Sequence, residues 1–235
     1  LDKPILSKEQ IKYIDHRLEN EGIKYWDVRI EMLDHVISDV EKKLKPENSE
    51  YEFKEIVQES LVTLGWKENF NGGGLDHINK ENFKNIAKKR REVYKKEFKL
   101  FFKNNIQVVF LLLFFVLYFL TSTLITHKQF VIVSYVIFLL PFFCFIYEGI
   151  KLWKKKLGKS FYKDQGLNSL YFSFAFFNVF MVAMKSEGQD FAIPVEYQKI
   201  VLFIILPTHL LLSIIGYKTY KKVIAEVEKM KNQLL

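Results

Sequence analysis

Histidines are the residues of this chain best suited to acid–base or metal chemistry. They are His16, His35, His77, His127 and His209. Metal ligands on a helix must lie three or four residues apart to share one face, and His35 and Asp39 have that spacing. One imidazole and one carboxylate cannot complete a site, so we expect no metal and no other cofactor. The alternative for His35 is a surface or half-buried side chain.

Motifs for nucleophilic or phosphate chemistry are missing from the sequence. There is no GxSxG, HExxH or P-loop, and no pair of carboxylates inside an apolar segment. The glycines at 72–74 are followed by no GK[ST], so we interpret them as a linker, and the single Cys144 allows no disulfide framework. We therefore expect a protein that is not an enzyme, and keep a membrane enzyme acting on lipid or prenyl substrates as a third hypothesis.

Three polar residues lie inside long apolar segments and need an explanation: Asn178, Thr208 and His209. Asn178 and His209 fall at similar depth from the predicted outer border, which suggests a hydrogen bond between their helices. An intramembrane ionisable residue is a functional candidate, but such polar pairs also serve packing alone. Both interpretations, packing and a ligand or proton role, stay open at this point.

The elements that would position these residues are apolar helices. A helix needs about 20 apolar residues to cross a bilayer core. Four segments fit this description: 106–125, 130–147, 169–184 and 200–217. The third is short and contains Ser173 and Asn178. The predicted fold class is therefore all-α, with an N-terminal cytosolic domain of three to four helices followed by a four-helix transmembrane bundle at 106–217.

Charge gives the orientation of these spans. Residues 1–80 hold 12 Lys and Arg against 17 Asp and Glu, whereas residues 81–105 hold 9 against 3. Three segments outside the spans are basic: the segment before span one, the loop at 151–166 with its six lysines, and the tail at 218–235. The other two loops contain few cations. Because short cytoplasmic loops carry excess Lys and Arg, we predict a multi-pass protein of a bacterial inner membrane with both termini in the cytoplasm.

The acidic segment 1–80 is predicted to form the cytosolic helical domain. Ser7 with Gln10 has a capping-box pattern, and Ser49 and Gly65 suit the two ends of a third helix. Between these helices lies an amphipathic segment that ends before Pro46. Its predicted inward stripe is Ile23, Trp26, Ile30, Leu33, Ile37, Val40 and Leu44. A basic juxtamembrane helix at 81–105 follows and could run into span one without interruption.

A partner-binding surface is predicted on the second helix. Its members are an acidic row and an apolar edge: Trp26, Asp27, Glu31, Met32, Asp34 and Glu41. A cytosolic or membrane protein with a basic surface would be the partner. Two alternatives are a solvated helix face and an internal electrostatic contact with the basic helix, in which exposed pairs contribute under about 1 kcal/mol each.

The basic helix is predicted to face lipid. Its collar residues are Lys88, Lys89, Arg90, Arg91, Lys95 and Lys96. Interleaved aromatics can stack on nucleic acid, but anionic lipid is the nearer counterion beside a span, at about 1 kcal/mol per basic residue. We expect anionic membrane lipids, and no nucleic acid, as partners of this collar.

The pattern at residues 7–66 resembles a HAAS-type signalling domain. The resembling stretches are SKEQIKYIDHRLENEGI, WDVRIEMLDHVISDVEKKL and FKEIVQESLVTLGW. Such domains are small helical modules of bacterial membrane proteins, often encoded beside PadR-like transcription regulators. The Trp-Asp-Val-Arg opening and the Leu-Asp-His core depart from the expected pattern. The resemblance implies a regulatory role, and a composition rich in Lys, Ile, Phe and Asn is typical of an AT-rich bacterium.

Two functions follow from these observations. The first is a non-enzymatic inner-membrane protein whose cytosolic helical domain mediates a regulatory protein–protein interaction. The alternative is a small transporter, channel component or membrane-complex subunit that uses the polar residues of spans three and four. Self-association of the chain is compatible with either function.

Overall fold

The computed structural model describes residues 5–67, 75–185 and 193–232. Throughout these residues the regular structure is helical and no β-strand occurs, which confirms the all-α class. The α-helices are α1 (Lys8–Asn20), α2 (Trp26–Lys43), α3 (Glu50–Leu64), α4 (Asp76–Lys103), α5 (Asn105–Leu124), α6 (His127–Lys154), α7 (Phe161–Tyr171), α8 (Phe177–Ala183) and α9 (Val195–Asn232), with a 3₁₀ helix at Phe172–Phe176 between α7 and α8.

The chain divides into two compact units. The first contains residues 1–88, 158–163 and 230–235, and the second contains residues 89–157 and 164–229. The short segment 158–163 thus belongs to the first unit, although the chain on either side of it belongs to the second.

Helices α1 and α3 begin and end where the sequence predicts, whereas α2 begins at Trp26, three residues after the predicted start of its apolar stripe. The Ser7 hydroxyl accepts from the Gln10 backbone N–H while the Gln10 side chain accepts from the Ser7 N–H, and Ser49 and Glu52 repeat this reciprocal box. Gly65 ends α3 in the left-handed region at φ 111°, which only a residue without Cβ adopts at no steric cost. These caps were all predicted.

The core of the first unit lies along α2, but not on the predicted stripe. Val28, Met32, Val36 and Val40 are fully buried, whereas Leu33 and Ile37 are only half-buried. Helix α2 contacts both α1 and α3, so the face that it buries is wider than a single stripe of residues spaced three and four apart. The centre of the buried face lies to one side of the predicted stripe. The prediction for Ile23 and Val40 is confirmed.

Helix α4 does not continue into α5. Asn104 interrupts the backbone in an extended conformation, and its side chain accepts a hydrogen bond from the Gln107 N–H at 3.2 Å. A side-chain cap of this kind starts a new helix. The expectation of an uninterrupted passage from the basic helix into span one is therefore wrong.

Three helices of the second unit are long and apolar enough to cross a membrane: Asn105–Leu124, His127–Lys154 and Val195–Asn232. They contain the predicted spans 130–147 and 200–217, and all of the predicted span 106–125 except Ile125. A multi-pass membrane protein has helices of this length and composition. Helix α9 runs on through the predicted tail to Asn232 without a break.

The third predicted span is not one continuous helix. Residues 169–184 include the end of α7, the 3₁₀ helix and the seven-residue α8. The sequence there contains many Phe residues and few polar ones, so hydropathy indicated a span. Hydropathy measures apolar content and does not report whether the helical hydrogen bonding stays continuous.

This broken segment nevertheless runs beside α9 in the opposite direction. A Cβ on Gly216 would lie 2.3 Å from the Ser169 carbonyl oxygen, and farther along Gln198 donates to the Lys185 carbonyl at 2.8 Å. Helix α6 runs parallel to α9, since Phe138 stacks on His209 and Glu148 pairs with Lys221. The chain between α6 and α9 therefore returns along the length of α9.

Candidate functional site

A buried carboxylate, Asp27 in the first turn of α2, is the centre of the first unit's polar network. Only 7% of the residue is exposed. Its two oxygens accept hydrogen bonds from the Ser160 hydroxyl at 2.7 Å, the Phe161 N–H at 3.0 Å and the Tyr162 N–H at 2.8 Å. A buried carboxylate is stable only when its oxygens are bonded in this way.

The same contacts cap helix α7. Phe161 and Tyr162 provide its first two N–H groups, which have no partner inside a helix, and the Ser160 hydroxyl accepts from the Lys163 N–H at 3.1 Å. Asp27 thus places a negative charge at the positive end of the α7 dipole. A residue of the N-terminal domain therefore fixes the start of a helix that comes more than 130 residues later.

Aromatic rings close this site. The rings of Phe83 and Phe161 stack at 4.2 Å, and Tyr25 meets both edge-on at 5.5 Å. The Lys159 ammonium lies 5.1 Å from the centre of the Tyr25 ring. We call Tyr25, Asp27, Phe83 and the segment Gly158–Lys163 the Asp27 clamp.

Backbone contacts complete the clamp. The Trp26 N–H donates to the Lys159 carbonyl at 3.1 Å. Gly158 lies beside the Trp26 indole and has a φ of 75°. A Cβ added to Gly158 would lie 3.5 Å from the indole, which is an ordinary van der Waals distance. At Gly158 the cost of a side chain would come from the positive φ rather than from crowding. The clamp is therefore made by backbone geometry as much as by side chains.

The predicted partner-binding residues fall into two groups. Asp27 and Met32 are buried in the first unit, and Trp26 is half-buried against Gly158, so these three are used inside the chain. Glu31 and Asp34 are exposed, and Glu41 is half-buried. The part of the predicted surface open to a partner is the acidic face at Glu31 and Asp34, with His35 exposed beside it.

Asp39, four residues after His35, has other partners. Its carboxylate binds the Lys43 ammonium at 2.9 Å and accepts from the Ser60 hydroxyl at 2.8 Å. The hydrogen bond from Lys43, helped by that from Ser60, lowers the pKa of Asp39. Among the residues that the structure describes, no group of three potential metal ligands occurs.

The intramembrane polar residues are not brought together as predicted. His209 is fully buried, with its Nδ1 3.1 Å from the Ser173 carbonyl and its Nε2 3.1 Å from the Phe138 carbonyl. Asn178 is exposed on α8, so its predicted hydrogen bond to His209 is wrong. The 3₁₀ helix is the reason, because it places the backbone of Ser173, five residues earlier, against the imidazole.

His209 holds three segments together. Its ring stacks on Phe138 at 4.1 Å and meets Phe174 edge-on at 5.0 Å, while Ser213 donates to Ser173 at 2.9 Å. Thr208 donates to the Ile204 carbonyl of its own helix. A neutral imidazole has one N–H, so it donates to one of the two carbonyls at a time. This arrangement is that of a packing contact between helices.

The basic collar is mostly exposed. Lys88, Lys89, Arg91, Lys95 and Lys96 point away from the packed interior, as a lipid-facing surface requires. Arg90 is half-buried, and one of its terminal nitrogens lies 3.5 Å from the Ser169 hydroxyl. Burial lowers the pKa of Arg90 from its ordinary value.

Two further polar positions were not singled out from the sequence. Gln198 is buried, bonds His127 at 2.9 Å and donates to the carbonyls of Lys185 and Ile193. Glu148 is buried near the end of α6, where it accepts from Tyr217 at 3.1 Å and pairs with Lys221 at 2.7 Å. The sequence did contain a signal for Glu148, because it is an ionisable residue directly after a long apolar run. It contained no comparable signal for Gln198.

Comparison with known proteins adds no relative. No protein-family model matches the chain, and neither a curated protein nor a solved structure matches it. The resemblance of residues 7–66 to a HAAS-type domain therefore stays a prediction.

Proposed function

We propose that this chain is a non-enzymatic multi-pass protein of a bacterial inner membrane whose helical domain binds a regulatory protein partner. In this proposal both termini are cytoplasmic. The broken segment 161–184 crosses the membrane together with α5, α6 and α9, which gives four crossings. The return of that segment along α9 supports an even number of crossings, as does the alternation of basic and sparse loops.

The observation that carries the proposal is the Asp27 clamp. The segment 158–163 belongs to the first unit and includes the first residues of α7, and its N–H and hydroxyl groups donate to the Asp27 carboxylate of the same unit. A change in α2 on partner binding therefore reaches the start of α7 directly. A connection of this kind would serve a signalling protein.

The partner would dock on the exposed acidic face at Glu31 and Asp34. Both carboxylates lie on α2, the helix that holds Asp27, so the docking face and the clamp share one rigid element. A basic protein surface is the complement of this face, and charge complementarity chiefly raises association rate and specificity. A HAAS-type role would fit the same arrangement.

Co-purification from gently solubilised membranes tests this function. Wild-type full-length protein should retain a specific partner, and the Glu31→Lys/Asp34→Lys variant should lose it. The matched control is Glu50→Lys/Glu55→Lys, which makes the same charge change on exposed residues of α3. Equal loss in both variants, or no partner specific to the wild type, would contradict the proposal.

A transporter or membrane-complex subunit remains the alternative function, and His209 is the residue that favours it. The separation of Asn178 from His209 weakens that alternative, because a substrate site would need both groups in one place. Unchanged solute flux and drug sensitivity in His209→Ala membranes would remove it.

A further inference from the structure

A long groove lies between the parallel helices α6 and α9 in the second unit. Its volume is about 920 Å³, within the range of 300–1,000 Å³ typical of small-molecule sites. Leu140, Phe143, Leu210 and Ile214 are among its apolar walls, whereas Glu148 and Lys218 lie at one end. From Leu140 to Glu148 is eight residues of helix, or about 12 Å.

A smaller cavity continues the groove past Glu148. It has a volume of about 210 Å³ and is lined by charged side chains including Lys151, Lys155 and Lys221. The two cavities share Glu148 as a lining residue, so the apolar groove and the polar compartment adjoin at this carboxylate. A ligand that fills both must be amphiphilic.

The polar compartment has excess positive charge. Lys221 pairs with Glu148 at 2.7 Å, and Lys155 pairs with Glu228. Lys151 and Lys218 form no ion pair with any carboxylate that the structure describes, and the Lys218 ammonium lies 6.0 Å from the centre of the Phe101 ring. Lys151 lines the polar compartment and Lys218 lines the apolar groove, so each adds a positive charge near the predicted cytoplasmic border.

We propose that the groove binds one anionic phospholipid, with acyl chain along its apolar walls and phosphate at Lys151 and Lys218. A lipid with a cationic headgroup and no net charge gains less from the two lysines, because its own cation is repelled. Water in a groove lined by Leu, Ile and Phe is unfavourable, whereas an acyl chain is as apolar as these side chains. This site is separate from the collar at Lys88–Lys96 and does not depend on the regulatory partner.

Native mass spectrometry of the full-length protein in detergent tests the proposal. Titration with dioleoyl-phosphatidylglycerol should give one tightly retained lipid, and dioleoyl-phosphatidylcholine should not. The Lys151→Gln/Lys218→Gln variant should bind that first lipid about 25-fold more weakly, at roughly fivefold for each lysine near a membrane surface. The Lys42→Gln/Lys45→Gln variant removes the same charge from exposed residues at and just after the end of α2, and it should leave the first lipid in place.

A second pair of variants tests the groove itself. Leu140→Trp places a large side chain in the groove and should abolish retention of the first lipid. Ile150→Trp adds the same bulk at an equally exposed site of α6 outside the groove, and retention should be unchanged. Helix content and elution volume identify a variant that fails to fold. In that case the lysine variants still test the lipid site.

Three results would overturn the lipid site. Equal retention of the two lipids by the wild type would remove the role of charge. Equal losses in the groove lysine variant and the Lys42→Gln/Lys45→Gln variant would show a general surface effect. Retention unaffected by Leu140→Trp would show that the lipid lies elsewhere. If the wild-type protein retains the lipid but no regulatory partner, that result would count against the proposed function and leave the lipid site in place.

Discussion

The two units satisfy the buried polar side chains of Asp27 and His209 in opposite ways. In the first, the Asp27 carboxylate accepts from N–H groups at the start of α7. In the second, the His209 imidazole faces the carbonyls of Ser173 and Phe138. Asp27 accepts hydrogen bonds from the N–H groups of a helix end, which water could otherwise bond. His209 instead lies against backbone carbonyls inside an apolar helix bundle. The comparison teaches that polar contacts connect distant segments in one unit and tighten helix packing in the other.

Gly216 is where the helix packing of the second unit is least tolerant of change. In Gly216→Ala the new Cβ would lie 2.3 Å from the Ser169 carbonyl oxygen, so α7 and α9 must move apart. We expect a loss of about 3 kcal/mol in the free energy of unfolding. Thermal unfolding in detergent, followed by circular dichroism, measures it.

Gly149→Ala is the control, because a Cβ at Gly149 meets nothing within 4 Å. This helical position should gain roughly 0.5–1 kcal/mol from the better helix propensity of alanine. Similar destabilisation of both variants would mean that close approach at Gly216 is not what holds α7 against α9.

Asp27→Ala should have the next largest effect. It leaves the Ser160 hydroxyl and the N–H groups of Phe161 and Tyr162 without their acceptor, at a cost of about 2–3 kcal/mol. The free energy of unfolding of the full-length protein is the measurement. Asp34→Ala removes an exposed carboxylate of the same helix and should stay within about 0.5 kcal/mol of the wild type.

His209→Phe sharpens the comparison from the other side. The phenyl ring keeps the stack on Phe138 but loses the one hydrogen bond that the neutral imidazole donates to a carbonyl, and a polar contact between membrane helices contributes about 0.6 kcal/mol. We therefore expect the free energy of unfolding, measured with denaturant, to fall by about 0.6 kcal/mol. A loss as large as that of Asp27→Ala would contradict the assignment of His209 to packing.

Asp39 supplies a pH-dependent difference and the smallest expected effect. Its pKa is lower in the folded state than the ordinary value of about 3.9. Asp39 therefore adds stability above that ordinary value, and this contribution is lost as the pH falls through the folded-state pKa. The stability difference between wild type and Asp39→Asn should shrink between pH 5 and about pH 3.

Local sequence rules predicted the helix ends, and long-range contacts were outside their reach. Ser7, Ser49 and Gly65 act within four residues of themselves, so their roles follow from the sequence. The role of Asp27 does not, because its donors come 133–135 residues later in a lysine-rich loop that indicated only orientation. Hydropathy identified three long spans and could not predict the break at Phe172–Phe176, where Ser173 meets His209.

Hydrogen exchange at residues 158–163 tests the Asp27 clamp most directly. In the wild-type full-length protein this segment should exchange slowly, because the N–H groups of Phe161 and Tyr162 donate to a buried carboxylate. In Asp27→Ala the same peptide should exchange at least tenfold faster, while a peptide from α3 keeps its wild-type rate. Exchange that is equally fast in both proteins would show that Asp27 does not hold this segment, and the coupling through α2 would be wrong.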